Sequence, residues 1–421
     1  MASFTFLLGM FKRPFFGVIS YLIIMTTRPG IFYPVLGNLR IELLVGILII
    51  IVMLLNVGRL HRVRISGNPV SKWMFLLYGV MLISMVQAFD FKTSWNWMIE
   101  FSKVFIFFLM IVTLIDTQKD VEVFLWIFAI LTCFIAYDAV YNYTQGIIVE
   151  SSGSGQIDYA VASAGIGAGH VALANLILQG MPFLWYLGVC NRMKLLKMVG
   201  VILFFVCLYG VVVSGSRGGF IGLVVLLFCL TIFSKHKLLM VGLGVILILC
   251  IPIIAGSKYM DYMNKALGFE ILDADLSAGA RVAGLINGIE MLIKRPILGV
   301  GPGCYPVARK AWFSWGLWAH NHYGELMGEL GIIGTLVWFV FLKSYFMRAW
   351  QFIRKEEADS ALRNLCLAVL VATIVRLVIG MATHSVYIFF WYMVAGVVVV
   401  LVGINSNLRG KEQFQERRIR V

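Results

Sequence analysis

The sequence is a succession of apolar runs, each near the length of a bilayer crossing, and that succession restricts the chain to one kind of fold. A helix needs roughly 20 apolar residues to span the hydrocarbon layer. Runs of that order lie at about 14–27, 41–59, 73–89, 98–115, 122–142, 170–189, 196–213, 220–233, 238–255, 323–342, 362–381 and 385–403. With 61% hydrophobic and 13% charged residues, a chain of 421 residues carries more apolar surface than a soluble fold can hide. The expected fold is an all-α polytopic membrane protein of about 12 transmembrane helices. Lys12 and Arg13 precede the first run but no small-residue cleavage site follows it, so this run is expected to be a retained span.

Basic residues orient the spans. Arg59, Arg62 and Arg64, then Arg192, Lys194 and Lys197, then Arg354, Lys355 and Arg363 gather in alternate short loops, and the tail carries Arg409, Lys411, Arg417, Arg418 and Arg420. The bias toward positive inner loops places both termini in the cytoplasm. The net charge of +14 is then a topological bias plus attraction to anionic lipid heads; no nucleic-acid motif accompanies it. Residues 1–255 hold nine spans, 256–322 form one long outer loop, 323–403 hold three spans and 404–421 form a basic tail. The loop far exceeds the length of a mere connection. The Gly, Ser and Ala-rich stretch Thr144–Gly169, with Asp158, is a second outer segment. Nothing in the first spans echoes the long loop, which counts against an inverted-repeat transporter. Of the seven cysteines, six lie in or beside apolar runs and read as small hydrophobes. Cys304 alone lies in the loop, and no CxxC pair suggests a metal or disulfide.

The residues with chemistry to offer cluster on the outer side. Ser214-Gly215-Ser216-Arg217-Gly218-Gly219 joins two spans. Its backbone N–H groups and the next helix N-terminus suit an anion, with Arg217 as a bidentate fork and Ser216 beside it. The plainer reading is a tight hairpin whose arginine snorkels to lipid phosphates. In the loop, Arg281 opens a segment with Gly284 and Gly288 and apolar Val282, Leu285, Ile286 and Ile289, the pattern of an interfacial helix. A cation in a first turn opposes the helix dipole unless an anion meets it. Lys294 and Arg295 close this helix, and Gly299-Val300-Gly301-Pro302-Gly303 reads as a rigid turn. His320, just before the tenth span, is placed to accept a proton from a hydroxyl at the membrane surface; His322 reads as a structural hydrogen bond. Gly324, Gly328, Gly331 and Gly334 suggest one smooth ridge for a neighbouring helix. Glu329, about 13 Å below His320 at the helical rise, needs a partner at that depth. Arg376 and His384 are candidates, with Glu329, to line the same cavity. Asp273 and Asp275 leave room for a casual cation; no clear metal-ligand cluster is present in the outer loops.

These stretches resemble the bacterial O-antigen ligase and O-antigen polymerase superfamily, which includes protein O-oligosaccharyltransferases. The ligase motif is a histidine, then Asn, Ser or Gln, nine residues, Gly, two residues and Gly, and His320-Asn321, Gly331 and Gly334 match it. The Arg217 turn is similar to the family's arginine-bearing turn. Arg281 and Arg295-Pro296-Ile297-Leu298-Gly299-Val300-Gly301 are similar to its loop arginine and Pro-Gly-Gly signature. The resemblance covers residues 210–342. It implies a GT-C-like membrane glycosyltransferase of lipopolysaccharide biosynthesis, set in the bacterial inner membrane with a periplasmic active site. Arg217 and Arg281 would clamp the pyrophosphate of an undecaprenyl-pyrophosphate-linked glycan, with Ser216, Arg295 and Asn321 as further binding residues. His320 would activate the acceptor hydroxyl of lipid A-core. No cofactor or metal is expected. A growing glycan or a protein side chain are alternative acceptors, and a lipid-linked glycan transporter is the rival outside the enzyme class. The ligases carry an acidic residue near the last spans; here His384 stands in that region, and the role is unassigned.

Overall fold

The computed structural model describes residues 9–29, 41–55, 63–147, 169–234, 272–314, 316–355 and 360–419, together with scattered positions between them. Most of the run 238–255 lies outside the described residues, as do most of Thr144–Gly169 with Asp158, Cys250, and the side chains of Asp273 and Asp275. In chain order the helices are α1 (Phe15–Thr27), α2 (Ile41–Leu55), α3 (Pro69–Val86), α4 (Phe91–Leu114), α5 (Gln118–Thr144), α6 (His170–Phe183), α7 (Lys194–Val213), α8 (Arg217–Phe233), α9 (Leu272–Lys294), α10 (Tyr305–Phe313), α11 (His322–Lys355), α12 (Ala361–Ile379) and α13 (Phe389–Ile419). Among the described residues seven helices are long and apolar enough to cross a membrane, and four more are apolar but shorter. The fold is thus an all-α polytopic membrane protein.

Polar residues at the ends of the apolar runs set the helix starts. Asn68 accepts from Val70 N at 2.9 Å ahead of Pro69, which suits a first helical position. Asp90 caps α4 through Thr93 N at 3.0 Å. Thr117 and Asp120 form a reciprocal capping box on α5. Asp120 also takes a two-pronged bond from Arg13 Nη2, at 2.6 and 2.8 Å, which ties the entry of α1 to the start of α5. The α13 segment from Val394 to Leu401 is buried on every side and becomes half-buried from Val402 on, so it is a core helix of the bundle. Apolar side chains such as Ile51, Ile83, Phe134, Phe205 and Phe228 point outward instead, an exterior suited to hydrocarbon.

The helix that follows His320 is not one smooth rod. Gly331, inside α11, has φ 62° and ψ −163°, a backbone region essentially closed to residues with a Cβ. The glycine ridge expected from the spacing of Gly324, Gly328, Gly331 and Gly334 is therefore interrupted at its third member. The break leaves backbone groups unpaired, and the segment after α9 fills them. Ile332 N donates to Pro296 O at 2.8 Å and Ile333 N to Ile297 O at 3.3 Å, while Val300 N and Gly301 N donate to Gly328 O and Glu329 O at 2.9 and 3.0 Å. Ser84 of α3 donates to Leu298 O at 2.6 Å, which pins the insert from the far side. The Pro296–Gly301 turn is rigid because it is part of a helix's hydrogen-bond ladder. Ahead of the break, α9 lies directly on α11: a Cβ on Gly288 would fall 2.2 Å from the Gly324 carbonyl oxygen.

Candidate functional site

Asn321 builds the turn that presents His320. Its Oδ1 accepts from Tyr323 N and Gly324 N, both at 3.0 Å, and so caps α11; its Nδ2 donates to Met381 O at 3.2 Å, at the end of α12. With its Oδ1 and one Nδ2 hydrogen engaged, Asn321 positions the turn. His320 sits beside it in the left-handed region at φ 46°, which histidine tolerates better than most residues, and its side chain is exposed. The His320 ring meets the His384 ring edge-on at 5.6 Å between centroids, and His384 stacks on Trp318 at 5.1 Å. Two histidines from distant segments thus share one cleft.

Cations surround this pair. Desolvation, then the charges of Arg281 and Arg309, hold the His320 imidazole below its usual pKa, so the ring is neutral at pH 7. Burial, then His320 and Arg376, push His384 down to about 4. The charges of Arg281 and Arg217 are both felt at the His170 ring, which brings the two arginines near the heads of α6 and α8; α9 begins at Leu272, so Arg281 stands in mid-helix and not in the first turn expected of it. Gly218 abuts Ala382 at the end of α12, so Arg217 opens α8 close to the loop that carries His384. Arg309, buried in α10, donates to Trp318 O at 3.1 Å and so steadies the segment entering His320. In the amide orientation that satisfies both partners, Asn287 of α9 accepts from Arg309 Nε at 3.1 Å.

Beneath the histidines, two carboxylates of α11 stitch the site together. Glu325 Oε2 accepts from Ser385 N at 2.7 Å and Val386 N at 3.0 Å, next to His384. Glu329 accepts from Gly303 N at 2.8 Å, from Tyr305 N at 3.0 Å and from the Tyr387 hydroxyl. This is the partner its depth called for: Glu329 caps α10 and is spent on it, so it does not line the cavity. His322 is buried and its Nδ1 meets Ser385 Oγ at 2.9 Å, a structural hydrogen bond as its surroundings suggested.

Residues 202–339 match the family model described as O-Antigen ligase. The chain carries a domain of the O-antigen ligase superfamily. No curated protein matches the chain. The O-antigen ligase domain runs from α7 past the break in α11, and it holds Arg217, Arg281, Arg309 and His320; Arg376 and His384 come after its end. Such a domain makes this a glycosyltransferase-like membrane enzyme, with a lipid-linked glycan and membrane lipids as the partners it points to.

Within and beside the O-antigen ligase domain, two more of the expected binding residues make structural contacts. Ser216 Oγ caps α8 by accepting from Gly219 N at 3.1 Å. Arg295 lies about 21 Å along α9 from Arg281 at the helical rise; its Nη1 donates to Gln87 O at 2.6 Å and its guanidinium lies 5.7 Å from the Phe89 ring centroid. It braces α9 against the end of α3. Arg295→Ala is accordingly expected to lower the melting temperature of the detergent-purified protein and leave donor affinity unchanged. Loss of donor binding at unchanged stability would return Arg295 to the site. Arg309, His170 and Trp318 join the site without having been singled out for it. Their only signal in the sequence is position, ahead of an apolar run or between aromatic residues. Among the described residues no group of three or more His, Cys, Asp or Glu gathers that could hold a metal ion.

Proposed function

We propose that the protein transfers a glycan from undecaprenyl pyrophosphate to a sugar hydroxyl of lipid A-core at the periplasmic face of the inner membrane, with both termini cytoplasmic. The observation that carries this reading is the convergence of a neutral, exposed His320 with Arg281 and Arg217 inside an O-antigen ligase domain. The acceptor hydroxyl attacks the anomeric carbon, its proton passes to His320, and the bond from that carbon to the phosphate oxygen breaks. Charge grows on the departing undecaprenyl pyrophosphate, where Arg217 and Arg281 stabilise it by bidentate contacts. Attack from the face opposite the leaving group gives inversion. Asn321 and Arg309 hold the His320 turn throughout.

Arg281→Ala is expected to lower transfer at least about a hundredfold, the usual loss when one donor to a developing oxyanion is removed, with the protein still folded. Normal transfer by well-expressed Arg281→Ala protein would remove the clamp from the mechanism. The test of the whole reading is a reconstituted assay with purified protein, undecaprenyl-pyrophosphate glycan and lipid A-core, run with EDTA. Transfer that survives the chelator supports a metal-independent ligase. Donor that lengthens while lipid A-core stays unmodified makes the protein a polymerase, and modified Ser or Thr in an added polypeptide makes it a protein glycosyltransferase. Movement of a fluorescent lipid-linked glycan across the bilayer without transfer would make it a transporter.

A further inference from the structure

On the side of the histidine pair that faces into the apolar helices, a cation stands without a hydrogen-bond partner among the described residues. Arg376, in the last turn of α12, is 0% exposed, and its Nε, Nη1 and Nη2 make no hydrogen bond to any described residue. Its guanidinium carbon lies 5.9 Å from the centroid of the Trp391 ring. The inward-facing Nε2 of His322 and Nδ1 of His384 on either side are unpaired as well. Glu325 is within electrostatic range, but its Oε2 already accepts two backbone N–H groups. A guanidinium has five N–H donors and accepts nothing, and burying them unpaired is costly. The guest that relieves such a site is rich in acceptors and negatively charged, and a planar fork matches a phosphate in particular.

Depth selects which phosphate. In a lipid pyrophosphate the tail lies among apolar helices and the sugar points outward, so the phosphate bonded to the lipid sits deeper than the one bonded to the sugar. Arg217 stands at the first residue of α8 and Arg281 beside it at the rim, whereas Arg376 lies within an apolar helix below His384. We propose that Arg376 binds the lipid-proximal phosphate of the donor, leaving the sugar-proximal phosphate to Arg217 and Arg281. This rests on the lipid-pyrophosphate donor proposed above.

A lipid that retains only the proximal phosphate isolates this contact. Binding of undecaprenyl phosphate and of undecaprenyl pyrophosphate is measured on the full chain in detergent, for the wild type, Arg376→Gln, Arg376→Lys and Arg281→Ala. Charge-assisted hydrogen bonds predict that Arg376→Gln weakens undecaprenyl phosphate binding at least about tenfold. Arg376→Lys, which keeps the charge and loses the fork, is expected to lose less, and it carries the test if the glutamine variant does not fold. Arg281→Ala is expected to spare undecaprenyl phosphate and weaken undecaprenyl pyrophosphate. Wild-type affinity for undecaprenyl phosphate in Arg376→Gln, or in Arg376→Lys where that variant alone folds, overturns the assignment and leaves the donor standing. Failure of the wild-type protein to bind either lipid overturns the donor and this assignment with it.

Discussion

Replacing His320 with asparagine is expected to cut glycan transfer by about 10²–10⁴-fold, the range that a positioned proton acceptor contributes, in a protein that still folds. Asparagine is the informative substitute because the position has φ 46° and asparagine accepts left-handed backbone readily. The side chain is exposed, so its removal opens no cavity in the core. The same group fixes the pH profile. Its working form is neutral, and desolvation with the charges of Arg281 and Arg309 lowers its pKa beneath the usual 6.5. As pH falls, transfer should therefore persist below 6.5 and decline only once the pH passes the lowered value. His384, pushed down to about 4, adds no step between pH 5 and 8. An acid limb centred above 6.5, or transfer at the wild-type rate in His320→Asn, would take the proton-accepting role away from His320.

Gly331→Ala is the second large effect, and it strikes stability. A Cβ there lands 2.6 Å from Gly299 N and from Ile297 O, backbone atoms with no way to swing aside. The φ of 62° with ψ −163° adds strain of roughly 1–3 kcal/mol, and the collision comes on top of it. Thermal unfolding in detergent should show the variant destabilised by about 3 kcal/mol or more, or not folded at all. Gly79→Ala is the matched control: that glycine lies inside α3 with nothing within 4 Å of its added Cβ, and the change should be neutral or favourable by up to about 1 kcal/mol. If both variants melt alike, the interruption in α11 is not there.

What could be read from the chain follows the reach of each signal. The apolar runs are local, with a period and a length, and the described helices begin close to where the runs do, except that α4 starts at Phe91, well ahead of the run at 98–115. His320-Asn321 and Arg217 stand out in the sequence because small and polar residues at a membrane boundary demand a reason. The break in α11 was not, because glycines three and four apart are equally consistent with a smooth ridge; only backbone hydrogen bonds from the Pro296–Gly301 segment separate the two. Arg295 shows the same limit. A cation near the end of a loop helix looks available until the fold brings up the Gln87 carbonyl, which is distant in sequence. Arg309 and the stitching by Glu325 and Glu329 depend on pairings between elements far apart in the chain, and no local pattern announces such pairings.

The insertion of Pro296–Gly301 into α11 also decides which parts of the enzyme can move apart. The helix that bears Arg281 and the helix that follows His320 are joined through shared backbone rungs, so a swing of one drags the other. They act as a single jaw. Among the described residues no such rungs cross to α11 from α6 or α8, which carry His170 and Arg217. Any motion that changes the spacing of Arg217 from Arg281 and His320 therefore falls on the side of α6 and α8, while Arg281 and His320 keep their places relative to one another.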